Sequence, residues 1–238
     1  MRILITGARR GIGAAIALGL AEEDLVLHHL GAARECEAIA AGCRNAEVIE
    51  ADLADPARVL ALAAEAGPVD VVVNNAAFAS YTAWDAVALQ EWNTAFAVNV
   101  TAPMLLAQAL APGMRERGWG RIVNITSATV RMGGPSGPAY VAAKAALTGL
   151  TGSLARSLGP YGITVNAVSP GAIHTESETE GLGGRTQEQL DADVLARQAV
   201  QRRLAPDDLV GCVRFLISDG ASAVTGQVIE VGGGLIAL

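Results

Sequence analysis

The chain has 238 residues, is 51% hydrophobic and carries a formal net charge of −7. That length suits one large α/β domain, and the apolar content supplies a core without disulfides or a structural metal. The acidic balance excludes a nucleic-acid surface. Cys36, Cys43 and Cys212 are odd in number and lack CxxC spacing, so they read as thiols of a reducing compartment, with no metal site. No cationic stretch followed by an apolar one opens the chain, and no uninterrupted apolar run reaches bilayer length. A soluble cytoplasmic protein without a membrane partner is expected.

Short β-rich runs alternate with alanine-rich helical stretches. The pattern predicts strands at 2–6, 25–30, 47–51, 69–74, 121–127, 163–169 and 228–231. Helices are expected at 11–23, 31–42, 55–67, 92–118, 138–159 and 206–218, with Asp55-Pro56 as an N-cap followed by proline. Several strands are apolar on both faces, as a parallel sheet covered on each side requires. The fold class that follows is α/β: a doubly wound Rossmann fold of about seven mostly parallel strands, one domain over 1–238. Residues 171–185, rich in Gly, Thr, Ser and Glu, are long for a connection and open a candidate lid that extends to about 200.

Thr6-Gly7-Ala8-Arg9-Arg10-Gly11-Ile12-Gly13 joins the first strand to the first helix. Glycines at these positions let the turn close and let backbone N–H groups approach a pyrophosphate at the helix N-terminus. The turn lacks the GK[ST] ending of a nucleoside-triphosphate loop. Further segments fall along the chain in a recognisable order: Asp52-Leu53, Asn74-Asn75-Ala76-Ala77, Ser127, Tyr140-Val-Ala-Ala-Lys144, Pro170-Gly171-Ala-Ile173-His-Thr175 and Val231-Gly232-Gly233-Gly234.

Together these resemble the short-chain dehydrogenase/reductase family over residues 2 to about 234. The resemblance implies a nicotinamide dinucleotide on Gly7, Arg9, Arg10, Gly11, Ile12, Gly13, His29, Asp52, Leu53, Asn75, Ala76, Tyr140, Lys144, Pro170, Gly171, Ile173 and Thr175. Two positions depart from the family pattern: Ala77 stands where it has glycine, and Gly232 where it has an acid or amide. No carboxylate closes the second strand, where one would hold the ribose hydroxyls and repel a 2′-phosphate. His28, His29 and Arg10 favour that phosphate instead, so NADP(H) is expected, with NAD(H) as the alternative.

Tyr140 and Lys144 share one helix face. A phenol of pKa about 10 needs a nearby cation to ionise near pH 7–8, a shift on the order of 3–4 kcal/mol. Of the 17 basic residues only Lys144 is a lysine, and an arginine fork does not replace a compact ammonium. Ser127, at a strand end, can polarise a substrate oxygen. The resemblance adds Asn99 as the residue holding a water beside the lysine. These four imply hydride transfer to a carbonyl with Tyr140 as proton donor, and the reverse for an alcohol.

Phe78, Val130, Met132 and Leu182 suggest a mostly apolar substrate pocket, and Glu176, Glu178 and Glu180 a solvated face. His174 is expected to be a loop contact. The readings that compete are a ketone or aldehyde reductase, a 3-oxoacyl carrier-protein reductase acting on an acyl carrier protein thioester, and an NAD-dependent secondary alcohol or sugar dehydrogenase. A nucleotide-sensing protein without turnover is the fourth. Arg115, Arg117 and Arg121 are a candidate basic rim for an acidic carrier. The long helices rich in Ala, Gly and Leu, and the apolar Leu235–Leu238, predict a homotetramer.

Overall fold

A computed structural model describes residues 1–181 and 184–236; Leu182, Ala237 and Leu238 therefore lie outside the described residues. The strands are β1 (Arg2–Ile5), β2 (Asp24–His29), β3 (Asn45–Glu50), β4 (Val71–Asn74), β5 (Gly120–Ile125), β6 (Ile163–Pro170) and β7 (Val228–Val231). They form one parallel sheet in the order β3-β2-β1-β4-β5-β6-β7.

Strand alternation divides the core in two. Ile3, Ile5, Leu25, Leu27, Val71 and Val73 pack on one face against α1 (Gly11–Gly19), α2 (Ala33–Ala40) and the later helix at Val210–Ile217. Leu4, Val26 and Val72 pack on the other face against α3 (Pro56–Ala66) and the helix Ala102–Arg117. Asp55 caps α3 as expected, its Oδ1 accepting from Ala57 N at 2.8 Å, with Pro56 at the first helical position.

The helix predicted at 92–118 is more elaborate. It begins as α4 (Leu89–Phe96), widens through one turn of π-helix at Ala97–Thr101, and continues as α5 (Ala102–Arg117). Although interrupted by polar residues, this 29-residue stretch is long and apolar enough to cross a membrane by length and composition alone. Its apolar face is spent inside the molecule instead: Ala102, Leu106, Leu110, Ala111 and Met114 are buried in the core beneath the sheet.

Beyond β5 come the short α6 (Thr129–Met132) and the long α7 (Pro138–Leu158). A buried polar chain fastens α7 to the sheet. Asn74 Nδ2 donates to Asn124 Oδ1 at 2.8 Å, Asn124 Nδ2 to Thr151 Oγ1 at 2.9 Å, and Thr151 Oγ1 to Leu147 O at 2.9 Å. The linked amides fix one registry of helix on strand, although Asn74 Oδ1 is buried without a partner among the described residues. The lid contributes α8 (Glu176–Glu180) and α9 (Gln187–Leu195), and α10 (Val210–Ile217) leads to the last strand.

The proposed basic rim does not form. Arg121 is only 2% exposed and stacks over the Trp119 ring at 4.2 Å. Arg117 donates to Val69 O at 2.6 Å and pairs with Asp70 at 3.3 Å, while Arg115 stacks on Tyr161 at 4.1 Å. All three gather around the amino end of β5, away from the carboxyl ends of the strands where ligands of such sheets bind.

Candidate active site

The turns after β1, β4, β5 and β6 enclose one cavity of about 990 Å³. It sits where the chain reverses direction across the sheet, between β1 and β4. Gly7, Arg9, Arg10, Gly11, Ile12 and Gly13 form one wall. Gly7 and Gly11 have φ of +67° and +54°, and a Cβ on Gly13 would lie 2.2 Å from Gly7 O. Only glycine permits that turn, which bares the N-terminus of α1 to the cavity. Asn75 braces it, donating from Nδ2 to Thr6 O and Gly7 O at 2.9 and 3.0 Å, and Thr6 Oγ1 accepts from Asn75 N and Ala76 N at 3.0 Å each. Asp52, Leu53, Asn75, Ala76, Pro170, Gly171, Ile173 and Thr175 also line the cavity. A Cβ on Gly171 would meet Gly232 Cα at 2.6 Å, so the close approach of the two backbones requires glycine at 171. These residues fit an extended dinucleotide with its phosphates on α1.

His28 does not serve as a phosphate cation. His28 is buried; its Nδ1 accepts from Gly7 N at 3.1 Å, which leaves Nε2 to donate to Ala51 O at 2.9 Å. Burial lowers its pKa to about 4, so it is a neutral strut between the glycine turn and the end of β3. His29 is also buried, with Nδ1 accepting from Ala32 N at 3.2 Å. Both rings still touch the cavity. Arg10 reaches across to the lid and grips Glu180 at 2.5 and 2.8 Å. Arg9 makes no ion pair among the described residues.

The opposite wall brings Ser127, Tyr140 and Lys144 together. Lys144 is 1% exposed and donates from Nζ to Ile125 O at 2.7 Å, with Nζ 5.7 Å from the centre of the Tyr140 ring. Burial pushes Tyr140 up to about 12, opposed by its hydrogen bond with Ser127, and pushes Lys144 down to about 7. Desolvation is the largest cause of both shifts, disfavouring the phenolate and the ammonium alike. Thr129 donates from Oγ1 to Ser127 Oγ at 2.9 Å and orients it.

Asn99 occupies the π-helical turn, buried behind the cavity and absent from its lining. Its Nδ2 donates to Phe78 O at 3.0 Å and Ala95 O at 2.8 Å, while Oδ1 has no partner among the described residues. The side chain thus ties the loop after β4 to the helix below it.

On the substrate side Phe78 and Met132 line the cavity, but Val130 does not. The one-turn α6 directs Thr129 and Met132 inward and leaves Val130 off the wall. The lid adds charged groups to the mostly apolar pocket expected from the sequence. Leu190, Asp193, Val194 and Arg197, one face of α9 and its extension, line the cavity with Tyr81 and Arg185. Arg185 is ion-paired with Asp193. The glutamates are not merely solvated either: Glu180 holds Arg10, and Glu178 accepts from Arg203 Nη2 at 2.6 and 2.7 Å. His174 is exposed and its backbone N donates to Leu204 O at 2.8 Å, a loop contact as expected.

Residues 7–236 match the family model described as enoyl-(acyl carrier protein) reductase. The chain is 40% identical to the "Probable galactose dehydrogenase GalD" of Rhizobium meliloti, over 98% of this chain and 94% of that one. It is 36% identical to the 3-oxoacyl-[acyl-carrier-protein] reductase of Staphylococcus aureus, over 98% and 96%. Among solved structures, a 3-oxoacyl (acyl-carrier-protein) reductase from Agrobacterium tumefaciens with NADP bound aligns with a TM-score of 0.90 at 31% identity, covering 98% of this chain and 93% of that one. The chain belongs to the short-chain dehydrogenase/reductase family. Members of that family are oxidoreductases that work with NAD(H) or NADP(H).

The neutral His28 makes a prediction about acid stability. Its folded pKa of about 4 lies below the ordinary 6.5, so between those values the unfolded chain binds the extra proton. The contribution is complete above pH 6.5 and is lost as pH falls toward 4, about 3 kcal/mol in all. Urea unfolding at pH 7 and pH 4.5 is expected to show that loss, and His28→Gln to remove most of it. An identical pH dependence in the variant contradicts the assignment.

Proposed function

We propose that this protein is an NADP(H)-dependent oxidoreductase that interconverts a small ketone or aldehyde and its alcohol. The observation that carries the reading is the convergence of Ser127, Tyr140 and Lys144 on the same cavity as the glycine turn. The glycine turn, Asp52, Asn75 and the 170–175 segment would hold the dinucleotide, which supplies or accepts the hydride when bound. Tyr140, kept protonated by burial, gives its proton to the carbonyl oxygen. Ser127, oriented by Thr129, donates to that oxygen and stabilises its developing charge. Lys144 supplies a positive charge beside the resulting phenolate. Asn99 is a positioning residue that holds the Phe78 loop.

Three observations support the phosphorylated cofactor. No carboxylate closes β2, Arg9 and Arg10 line the cavity, and the Agrobacterium relative was crystallised with NADP. The substrate reading favours a small polar molecule over an acyl chain on a carrier protein. Arg185, Asp193 and Arg197 give the far wall exposed charged groups that can hydrogen-bond the hydroxyls of a polar substrate. The placement of Arg115, Arg117 and Arg121 removes the carrier rim. The free thiols support a reducing, cytoplasmic setting.

Wild-type protein is expected to oxidise NADPH with some members of a panel of ketones, aldehydes and oxidised sugars. Tyr140→Phe should lower kcat/KM by at least ~100-fold with little change in cofactor affinity. No turnover across the panel contradicts the enzyme reading, and preference for an acyl-carrier thioester overturns the substrate reading.

A homotetramer is part of the same proposal. Trp84 and Leu89 are 83% and 74% exposed, beside Val87, Trp92 and Pro138 at the start of the long helices. An apolar patch of this kind is normally covered by another protein surface. Sedimentation equilibrium should give four chains per particle; a monomer at micromolar concentration contradicts it.

A further inference from the structure

The lid places carboxylates against the glycine turn. Thr175 starts α8 by accepting from Glu178 N at 3.2 Å, which directs the helix across the cleft. At its far end the Glu180 carboxylate takes both terminal nitrogens of Arg10, at 2.5 and 2.8 Å, and Ser177 Oγ accepts from Arg10 at 3.3 Å. Glu176 approaches the turn itself, its Oε2 3.5 Å from where a Cβ on Gly11 would stand. Gly181 then packs on the Tyr81 ring of the opposite wall, leaving 2.7 Å between a Cβ there and Tyr81 Cζ. Arg203 secures the arrangement from behind by holding Glu178 and, at 2.6 Å, Asp191 of α9. The acidic end of α8 thus rests on a cation of the phosphate-binding turn.

We infer that Glu180 is a specificity-determining residue for the cofactor, because its carboxylate competes with the 2′-phosphate for Arg10. The inference rests on the reading above that Arg10 serves that phosphate. Two oxygens of a phosphate monoester can accept from a guanidinium side by side, as the two oxygens of a carboxylate do, so one bidentate partner replaces the other. The unphosphorylated dinucleotide has no group to make that exchange, so Glu180 acts against NADP(H) selectively. The pair is partly solvated, with Glu180 61% exposed. Such pairs are weak and screened by salt, so the effect amounts to about two- to fivefold in affinity at low salt.

Direct binding of NADPH and NADH, followed by quenching of tryptophan fluorescence, tests this on the intact protein. Glu180→Gln keeps the helix and removes the charge. It is expected to lower the Kd for NADPH about two- to fivefold and to leave that for NADH nearly unchanged, with the difference shrinking in 0.5 M salt. Arg10→Ala is expected to weaken NADPH binding selectively, and Glu180→Gln added to it should have no further effect on NADPH. Equal changes for both dinucleotides, no change, or weaker NADPH binding in Glu180→Gln overturns the inference. If Arg10→Ala leaves NADPH binding intact, the underlying reading of Arg10 fails as well. If Arg10→Ala weakens NADPH while Glu180→Gln shifts nothing, only the competition fails. Matching melting temperatures of the variants confirm that each is folded.

Discussion

Lys144 Nζ reaches Ile125 O over 2.7 Å, and this hydrogen bond joins the long helix α7 to the last residue of β5. Around it the chemical wall of the cavity is assembled. Ser127 leaves the sheet two residues after Ile125, and Tyr140 stands one helical turn before Lys144, so one contact sets the distance between them. An ammonium 1% exposed needs an oxygen partner. The backbone carbonyl provides one without neutralising the charge, as a carboxylate would. The Asn74–Asn124–Thr151 chain repeats the logic deeper in the core, with linked side-chain hydrogen bonds fixing where α7 lies on the sheet.

The two walls differ in their electrostatics. On the chemical wall burial dominates, holding the phenol protonated and the amine near neutrality. On the cofactor wall the polar work is done by backbone and by neutral His28, while charge is concentrated in Arg9 and Arg10 at the cavity's mouth. The lid spans both, the far end of α8 holding Arg10 through Glu180 and packing Gly181 on Tyr81, with Arg203 holding it from behind. A cleft of this construction excludes water from the hydride path while leaving ionic contacts at its rim that an incoming anion can exchange.

The sheet was legible in the sequence because its strands are short apolar runs punctuated by turns, and the parallel order followed from their alternation with helices. The glycine turn and the Tyr140–Lys144 pair were legible because their spacing carries a steric or helical requirement. Other features had no local signal. The buried roles of His28 and Arg121 depend on which neighbours the sheet brings to them, and polar residues on a strand look alike whether they face a ligand or a backbone N–H. The partners of Glu178 and Glu180 lie 25 and 170 residues away, so a charge census of the lid alone made them appear solvated. The wide turn at Ala97–Thr101 has no composition of its own; Asn99 bonding back to Ala95 O was its one legible cause, and only after the fold was known. Val130 lies off the wall because residues three apart on a helical turn, Thr129 and Met132, share the inward face and the residue between them does not.

The central claim is that the charge on a desolvated Lys144 governs proton transfer by Tyr140. The pH dependence of kcat/KM for carbonyl reduction, measured in the wild type and in Lys144→Met, tests it most directly. In the wild type the rate should be highest while Lys144 is protonated and should fall as pH rises through about 7. In the variant that neutral-range limb should vanish and the rate should drop by at least ~100-fold. A variant that keeps the descending limb near neutrality, or keeps wild-type rates, contradicts the account.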